Sequence, residues 1–370
     1  MKITAVTATV LRLPEVTAAC DGTQDTCIIQ IETDAGITGI GEVDSAPTVI
    51  KAIIDAPLSH QVCNGIANAL VGENPLDRES CIGSIDQALN YYGRTGAGAH
   101  AASGIDLALW DIAGKVSGKP VFELLGVPVK SRFRAYCSLL FGDTPEETEE
   151  RARRYAGMGF TAIKFGWGPM GDSEENDVAL VQAARRGAGG QVDILIDAGQ
   201  VWDWRTALER ARRFEEFGLF WLEEPLHPQD IEGYARLTEA SPIPIAAGEA
   251  EALPSEFHRL IVDGGLNWVQ PDPGRCGITT FAEVGRIAAE NGCKVVNHSF
   301  KSGITIAASL HALSACQGTE MFEFCMSDSP LRHHLTNESF EVIDGMVSLP
   351  RGPGLGVTLN QDTINRYRLA

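Results

Sequence analysis

In residues 220–225, FWLEEP, three apolar residues are followed by two adjacent glutamates and a proline. The apolar run favours a buried β-strand, and Pro225 favours the end of that strand. Side chains alternate along a strand, so Glu223 and Glu224 face opposite sides of it. Two like charges at the end of a buried strand are costly, so the rest of the chain has to show what compensates them.

Similar segments recur from Ser131 onward, and each is followed by a longer amphipathic stretch. The eight strand candidates are RAYCSLLF, FTAIKFG, DILIDAG, LFWLEEP, IPIAAGE, NWVQPD, KVVNHS and EMFEF. Residues 144–159 and 204–218, between these segments, carry capping residues and i, i+4 charge pairs that predict surface helices. Alternating strands and helices predict a parallel sheet, and eight units in about 195 residues predict a closed α/β barrel. The rival, an open doubly wound sheet, would often show a glycine-rich phosphate loop after its first strand, and the sequence has none there.

The residues on either side of the barrel predict α+β structure. The N-terminus predicts a first strand, and residues 26–43 predict two further strands joined at the turn TDAG. Residues 98–126 carry apolar side chains at helical spacing and predict a helix that ends at Gly118 and Pro120. Residues 340–357 predict a hairpin and a glycine-rich loop that fold back onto the N-terminal part.

The composition excludes several classes of protein. A net charge of −19 argues against a nucleic-acid partner and against an anionic membrane surface. Arg12 and Pro14 interrupt the N-terminal apolar stretch, and no run of about 18 uncharged apolar residues exists, so neither a signal peptide nor a transmembrane helix is predicted. Nine scattered cysteines without a C-x-x-C pair argue against a zinc ribbon or a disulfide framework. We therefore expect a cytoplasmic globular protein with reduced thiols and no membrane partner.

Ionisable residues lie at the predicted C-terminal ends of the barrel strands, where the side chains of such a fold line the active-site mouth. They are Lys164, Asp197, Glu223, Glu249, Asp272, His298 and Glu323. From Asp197 onward they are 26, 26, 23, 26 and 25 residues apart, which is about one βα unit each. The same register places Glu223 in the mouth and turns Glu224 towards the surrounding helices or loops.

Asp197, Glu223 and Glu249 predict a metal site. Three carboxylates that converge in a desolvated place raise one another's pKa, and a divalent cation removes that conflict. Ligation by oxygen alone suits a hard ion, so we expect one Mg²⁺ per chain before Mn²⁺ or Ca²⁺. The alternative is that each carboxylate forms a salt bridge with a barrel lysine or arginine, but three matched strand ends favour the metal.

Asp272 and His298 end neighbouring strands, so their side chains can meet. A carboxylate beside an imidazole fixes its tautomer and raises its basicity, which predicts a general base. The alternative is a buried pair that only joins two strands. Lys164 faces the metal from the second strand and is expected to stabilise a developing oxyanion.

Taken together, these motifs resemble the mandelate racemase subgroup of the enolase superfamily over essentially the full length of the chain. The motifs are SGIDLALWDIAGKVSGKPVFELLG, DAGQVW, WLEEP, AAGE, QPDPGRCGIT and VNHSFKSG, in that order. The resemblance implies an α+β capping domain over 1–128, a modified (β/α)7β barrel over 129–325, and a C-terminal segment over 326–370 that returns to the cap. It also implies the following roles: Mg²⁺ ligands Asp197, Glu223 and Glu249, an Asp272–His298 dyad, and Glu323 as an acid near the substrate carboxylate.

The chain departs from this family at two positions. Members that use two bases usually carry Lys-x-Lys at the end of the second barrel strand, but Gly166 stands in place of the second lysine. A glycine cannot move a proton, so the departure disfavours a racemase. β-Elimination survives, because His298 can take the α-proton and then protonate the departing hydroxyl on the same face. Gly199 replaces a frequent asparagine and leaves space that Trp167 and Trp202 either line or fill by packing.

The resemblance and the departures together predict a Mg²⁺-dependent acid-sugar dehydratase. Such an enzyme converts an aldonate or an aldarate into a 2-keto-3-deoxy acid by α-proton abstraction, enediolate stabilisation and loss of hydroxide. A racemase, epimerase or cycloisomerase that acts on another carboxylate is the first alternative. A non-catalytic relative that binds metal and sugar acid is the second. The family also implies a homo-oligomer.

Overall fold

The computed structural model describes residues 1–126 and 130–369, and it begins with a three-stranded antiparallel sheet. The strands of this sheet are β1 (Ile3–Arg12), β2 (Asp25–Thr33) and β3 (Thr38–Val43), with a 3₁₀ turn at Gly22–Gln24. Its helices are α1 (Pro47–Asp55), α2 (Ile66–Leu70), α3 (Arg78–Leu89), α4 (Ala97–Ser117) and α5 (Val121–Leu124). Helix α4 ends at Gly118, whose φ of 66° is the left-handed conformation that terminates a helix.

The eight predicted strands form one parallel sheet in the order β10-β9-β8-β7-β6-β5-β4-β11, which confirms the predicted α/β barrel. They are β4 (Arg132–Leu140), β5 (Ala162–Gly166), β6 (Asp193–Asp197), β7 (Leu219–Glu223), β8 (Ile245–Ala247), β9 (Trp268–Val269), β10 (Lys294–Val295) and β11 (Met321–Cys325).

A helix follows each of the first seven barrel strands, as a (β/α)7β barrel requires. These helices are α6 (Pro145–Gly157), α7 (Glu174–Ala188), α8 (Trp204–Phe214), α9 (Ile231–Ala240), α10 (Pro254–His258), α11 (Pro273–Glu290) and α12 (Gly303–Ser314). A 3₁₀ turn at Glu215–Phe217 follows α8, and a π-helical turn at Arg259–Asp263 follows α10. Among the described helices, none combines the length and apolar character that a bilayer crossing needs.

A side chain joins the two strands at the ends of this sheet. Asn297, just after β10, donates from Nδ2 to the carbonyl oxygen of Glu323 (3.4 Å) and accepts from its backbone N–H (3.0 Å). The described residues of strands β10 and β11 are not paired through their backbones, and the side-chain amide of Asn297 takes the place of a backbone peptide group between them. The barrel closes at this point, and closure fixes Glu323 beside the end of β10.

The barrel interior contains two layers of side chains. One residue in or directly after each strand forms an apolar cluster that we call the floor: Tyr136, Ala162, Leu195, Trp221, Ala246, Trp268, Val296 and Met321. Side chains alternate, so the residues two positions further along face the same interior, nearer the C-terminal ends. These residues are polar on seven strands: Ser138, Lys164, Asp197, Glu223, Gln270, His298 and Glu323.

The remaining strand, β8, contributes to this polar layer in another way. On β8 the corresponding position is Gly248, whose φ of 129° few other residues adopt. The turn at this glycine brings the next residue, Glu249, into the polar layer. Sequence spacing alone therefore locates Glu249 correctly along the chain but does not show this turn.

The C-terminal segment contacts both parts of the molecule and contains α13 (Pro330–His334), β12 (Met346–Ser348) and α14 (Gln361–Tyr367). The expected return to the N-terminal part is therefore incomplete, because β12 first pairs antiparallel with barrel strand β4. Further on, Leu355 N donates to Asp111 Oδ1 in α4 (2.9 Å), and Leu369 N donates to Val10 O in β1 (3.0 Å). The predicted domain limits remain predictions, and the one between residues 128 and 129 lies outside the described residues.

Candidate active site

Three carboxylates from neighbouring strands meet in the polar layer. Asp197 ends β6, Glu223 ends β7, and Glu249 follows β8; one oxygen of each lies within 4.8 Å of the others. All three side chains are buried. Burial and the charge of Glu223 raise the pKa of Asp197 well above its ordinary value. Three buried carboxylates that approach one another this closely fit a hard divalent cation.

Glu224, the second glutamate of the opening motif, lies outside this cluster. Its backbone is left-handed, with φ at 38°, and its Oε2 accepts a hydrogen bond of 2.7 Å from Gln200 Nε2. Burial and the charge of Glu249 raise the pKa of Glu224 to about 8. Glu224 therefore supports the loop after β6, which contains Gln200.

Lys164 is bound by two carboxylates and is not a free cation. Its Nζ lies 2.5 Å from Glu223 Oε1 and 2.7 Å from Glu323 Oε1. Burial opposes protonation of Lys164, but these two carboxylates outweigh it and raise its pKa well above the ordinary value. The other oxygen of Glu223 accepts from Trp221 Nε1 (2.9 Å). Lys164 therefore links a carboxylate of the three-acid cluster to Glu323.

His298 is oriented by Asp272. Oδ2 of Asp272 lies 2.6 Å from His298 Nδ1, and Oδ1 accepts from Gly274 N (2.6 Å) at the start of α11. Nδ1 donates to this carboxylate, and Nε2 lies 3.4 Å from Glu249 Oε2. Burial opposes protonation of His298, but Glu249, Glu323 and Asp272 outweigh it and raise its pKa to about 10. The imidazole would therefore act as a base once a cation held by Glu249 offsets that negative charge. The pair has the geometry of an oriented base at the edge of the carboxylate cluster.

Glu323 is held from two further directions. Ser299 N donates to Glu323 Oε2 (2.7 Å), and the backbone of Glu323 pairs with Asn297 as described above. Burial opposes ionisation of Glu323, but Lys164 and His298 outweigh it and lower its pKa. Glu323 is therefore an ionised carboxylate between the lysine and the histidine.

Three charged residues that were not predicted from the sequence lie beside the histidine. Asp44, just after β3 in the N-terminal sheet, lies 3.0 Å from Arg275 Nη2 and 3.4 Å from Lys301 Nζ. Arg275 also donates to the carbonyl oxygen of Glu249 (2.7 Å). Arg275 and Lys301 each stand three positions after a member of the Asp–His pair, and this regularity is the signal that could have revealed them. No sequence signal marks Asp44, because it lies outside the barrel.

Asp44 also belongs to a second group that could hold a metal. One ligand atom of Asp44, of Asp272 and of His298 lies within 4.8 Å of the others. Burial raises the pKa of Asp44, but Arg275 and Lys301 outweigh it and lower the pKa far below its ordinary value. This group offers two carboxylates and an imidazole, whereas Asp197, Glu223 and Glu249 offer carboxylate oxygens alone, which suits a hard cation better.

Asp197, Glu249 and His298 line a cavity of about 230 Å³, together with Lys164 and Arg275. Gly166 and Trp167 form part of its wall. Trp167 has a left-handed φ of 56°, and a Cβ on Gly199 would lie 3.0 Å from the Trp167 ring. The Trp167 ring therefore fills the space that was predicted beside Gly199. Trp202 is buried in the core against Phe214, at 6.3 Å between ring centroids.

Comparisons with known proteins place both parts of the chain in one family. The family model described as "Mandelate racemase / muconate lactonizing enzyme, N-terminal domain" matches residues 2–126, and "Enolase C-terminal domain-like" matches residues 147–363. The chain is 30% identical to the D-galactarolactone cycloisomerase of Agrobacterium fabrum over 359 residues, which cover 92% of this chain and 91% of that protein. It is 30% identical to the arabinonate dehydratase of Saccharolobus solfataricus over 349 residues, 92% of this chain and 89% of that protein. The crystal structure of a predicted mandelate racemase from Rhodobacter sphaeroides matches with a TM-score of 0.91 and 32% identity, covering 100% of this chain and 95% of that one.

Proposed function

Because this chain belongs to the mandelate racemase/muconate lactonizing enzyme family of the enolase superfamily, we propose that it dehydrates a sugar acid to a 2-keto-3-deoxy acid. The chain is an enzyme, and its relatives include a dehydratase that acts on arabinonate. One observation carries the proposal: His298, oriented by Asp272, faces the three-carboxylate cluster, while Gly166 offers no second proton carrier. This arrangement supports chemistry on one face of the α-carbon.

Asp197, Glu223 and Glu249 would hold the divalent cation that members of this superfamily typically bind, and we propose Mg²⁺. When bound, the cation would supply positive charge to the substrate carboxylate and so make the α-proton more acidic. The three residues fit such an ion because one buried carboxylate oxygen of each lies within 4.8 Å of the others, and Mg²⁺ prefers oxygen ligands.

His298 then carries one proton through the reaction. Its Nε2 takes the α-proton, and the electron pair of the broken C–H bond moves towards the substrate carboxylate. The C–O bond at the β-carbon breaks next, and the protonated imidazole gives the same proton to the departing hydroxyl, which leaves as water. The enol that remains tautomerises to the 2-keto acid, so one sugar acid yields one keto acid and one water. Asp272 stabilises the imidazolium between the two proton transfers.

Lys164 and Glu323 complete the proposed site. The ammonium of Lys164 lies 2.5 Å from Glu223 and 2.7 Å from Glu323, so it is fixed where charge develops on the substrate carboxylate. Glu323, bound by Ser299 N, holds that ammonium in place. We assign charge stabilisation to Lys164. We assign to Glu323 the orientation of Lys164 beside the substrate carboxylate.

The test is a screen of pure enzyme and Mg²⁺ against a library of aldonates and aldarates, with 2-keto-3-deoxy products measured as semicarbazones. We expect turnover of at least one sugar acid and loss of turnover in His298→Asn, with Mg²⁺ binding retained. Turnover of a different carboxylate, with none of any sugar acid, contradicts the proposal. An inert wild type that still binds Mg²⁺ and sugar acids supports a non-catalytic relative.

A cycloisomerase is the second candidate, because a relative that is 30% identical over 92% of this chain carries that activity in its name. Proton transfer on one face is compatible with both reactions. Product mass separates them: dehydration removes one water, whereas cycloisomerisation leaves the mass unchanged. Epimerisation is distinguished by solvent deuterium in recovered substrate of inverted configuration, and Gly166 disfavours it.

A further inference from the structure

A second cavity adjoins the active-site cavity at the barrel mouth. The two share Ser138, Leu139, Leu140 and Phe300 as lining residues, so they border one another. The second cavity, which we call the distal cavity, extends to Arg154 and neighbouring side chains of α6. The distal cavity is therefore next to the place where the far end of a linear substrate would lie if its reacting end were at His298.

Ser138 stands at the junction of the two cavities with an unused hydroxyl. It belongs to the polar layer of the barrel, its side chain is only 1% exposed, and its Oγ has no hydrogen-bond partner among the described residues. A buried hydroxyl without a partner is unfavourable, because it has lost its hydrogen bonds to water. The position fits a ligand that carries hydroxyl groups along its chain.

The far end of the distal cavity has the exposed guanidinium group of Arg154. Arg154 lies 5.3 Å from the Tyr155 ring centroid and donates no hydrogen bond to any described residue. Its neighbour Arg151 donates from Nη1 to two carbonyl oxygens, of Leu140 and Phe141, at 2.9 Å each, and so supports the wall.

Two acids also line the distal cavity. Asp21 is already bound, since its Oδ1 accepts from Thr23 N (2.9 Å) and its Oδ2 from Ser327 Oγ (2.7 Å). Asp328 is exposed to solvent. The distal cavity thus has two acidic and two basic side chains, and Arg154 is the basic one whose guanidinium has no hydrogen-bond partner among the described residues.

Cations in the active-site cavity itself are already engaged. Lys164 is bound by Glu223 and Glu323, and Arg275 is bound by Asp44 and Glu249. Among the described residues lining that cavity, no further lysine or arginine could receive a second substrate carboxylate.

We propose that the distal cavity binds the second carboxylate of a dicarboxylic sugar acid, with Arg154 as its cation and Ser138 as a partner for a hydroxyl between the two ends. This inference rests on the proposed function and narrows it, because it selects an aldarate over an aldonate of the same length. A guanidinium recognises a carboxylate through charge-assisted, often paired hydrogen bonds, which a terminal hydroxymethyl group cannot form.

The kinetic test compares Arg154→Gln with a matched control, Arg153→Gln. Arg153 is the adjacent residue of the same helix, but it pairs with Glu149 (2.5 Å) and does not line the distal cavity. We expect Arg154→Gln to raise the KM for aldarates by about tenfold or more with little change in kcat, since a charge-assisted contact is lost far from the reacting atoms. Arg153→Gln should match the wild type. Equal kcat/KM of the wild type for aldarates and aldonates, or an unchanged KM in Arg154→Gln, overturns the proposal.

A binding test keeps the inference separate from the proposed reaction. Adipate has two carboxylates and no hydroxyl to lose, and hexanoate is the matched monocarboxylate. Calorimetry on the Mg²⁺-loaded enzyme should show tighter binding of adipate than of hexanoate to the wild type, and no such difference in Arg154→Gln. If this holds while no sugar acid is dehydrated, the subsite stands and the dehydratase assignment fails. If sugar acids are dehydrated but adipate binds both proteins alike, the dehydratase assignment stands and the subsite fails.

Discussion

Gly166 matters for what a side chain there would touch as well as for the proton it cannot carry. A Cβ at this position would lie 2.8 Å from both Cβ and Oδ2 of Asp197, the proposed metal ligand on the neighbouring strand. Real Cβ atoms do not approach other atoms so closely, so Asp197 would have to shift. In this structure the glycine thus also provides room for the carboxylate.

We therefore expect Gly166→Ala to weaken Mg²⁺ binding by about fivefold or more, since overpacking of a buried position typically costs at least about 1 kcal/mol. Isothermal titration calorimetry measures the affinity. Gly190→Ala is the control, because a Cβ there has open space around it. Wild-type affinity in Gly166→Ala would show that Asp197 has another position available.

Asp272→Asn tests whether the carboxylate, and not merely a hydrogen-bonding group, is needed beside His298. The amide oxygen of asparagine can still accept from Gly274 N, so the start of α11 should remain intact. The variant loses the charge that stabilises the imidazolium, and we expect kcat to fall by about a hundredfold or more. Steady-state kinetics measure this, with Mg²⁺ affinity as the control. A kcat near that of the wild type would reduce the pair to a structural contact.

Regular spacing made some site residues predictable and hid others. Asp197, Glu223 and Glu249 could be found because each barrel unit delivers one residue to the mouth. Asp44 could not, because the antiparallel sheet that it follows approaches the barrel only in the folded molecule. Lys164 was located correctly along the chain, but its two ion pairs depend on side chains from strands far apart in sequence.

One buried histidine, His311, joins three segments of the fold. His311 on α12 accepts from Phe122 N of α5 at Nδ1 (3.3 Å), and its Nε2 lies 3.1 Å from the carbonyl oxygen of Leu355 in the C-terminal segment. Both nitrogens are used only if the ring is neutral with its proton on Nε2. Burial lowers the pKa of His311 from 6.5 to about 4.

This histidine predicts a loss of stability in acid. Between pH of about 6.5 and 4, the unfolded chain binds a proton at His311 that the folded chain does not, so stability falls as the pH falls. The shift corresponds to about 3 kcal/mol at the acid end, at about 1.4 kcal/mol for each pH unit. Urea unfolding at pH 7.5 and pH 4.5 should show a smaller acid loss in His311→Gln than in the wild type. Equal losses in the two proteins would mean that His311 titrates normally when folded.

The strands and helices were easier to predict from the sequence than the pairing of the strands. Eight apolar runs and the amphipathic stretches between them indicated the barrel strands and helices, because burial on a parallel sheet imposes that pattern. Strand β12 was expected to fold back with the N-terminal part, but it adds to β4 of the barrel. A three-residue strand carries too little pattern to specify its partner, which depends on where the chain emerges after β11.

Lys301 holds the N-terminal domain in place over the barrel mouth. It follows β10 and donates to the carbonyl oxygens of Gly22 and Asp25, the latter at 2.9 Å. Its Nζ also lies 3.4 Å from Asp44 Oδ1. The side chain is 3% exposed, so these contacts are shielded from water.

Lys301→Met should therefore loosen the loop before β2 while the barrel remains folded. We expect faster amide hydrogen exchange over residues 13–25 and a higher KM, because the loop carries cavity residues such as Cys20 and Gly22. Mg²⁺ affinity should not change, since Lys301 contacts none of the three proposed ligands. Lys119→Met, at an exposed lysine, is the control. Unchanged exchange over residues 13–25 would show that other contacts suffice to hold the loop.

The apolar floor beneath the polar layer has a consequence for how this enzyme could acquire another activity. On seven of the eight barrel strands a packing residue is followed, two positions later, by a residue of the polar layer, so substitutions at the second position leave the first unchanged. Ser138 and Gln270 can therefore be exchanged in evolution or in the laboratory while Trp221 and Trp268 continue to hold the strands together. Selection can act on chemistry one strand at a time without first rebuilding the scaffold.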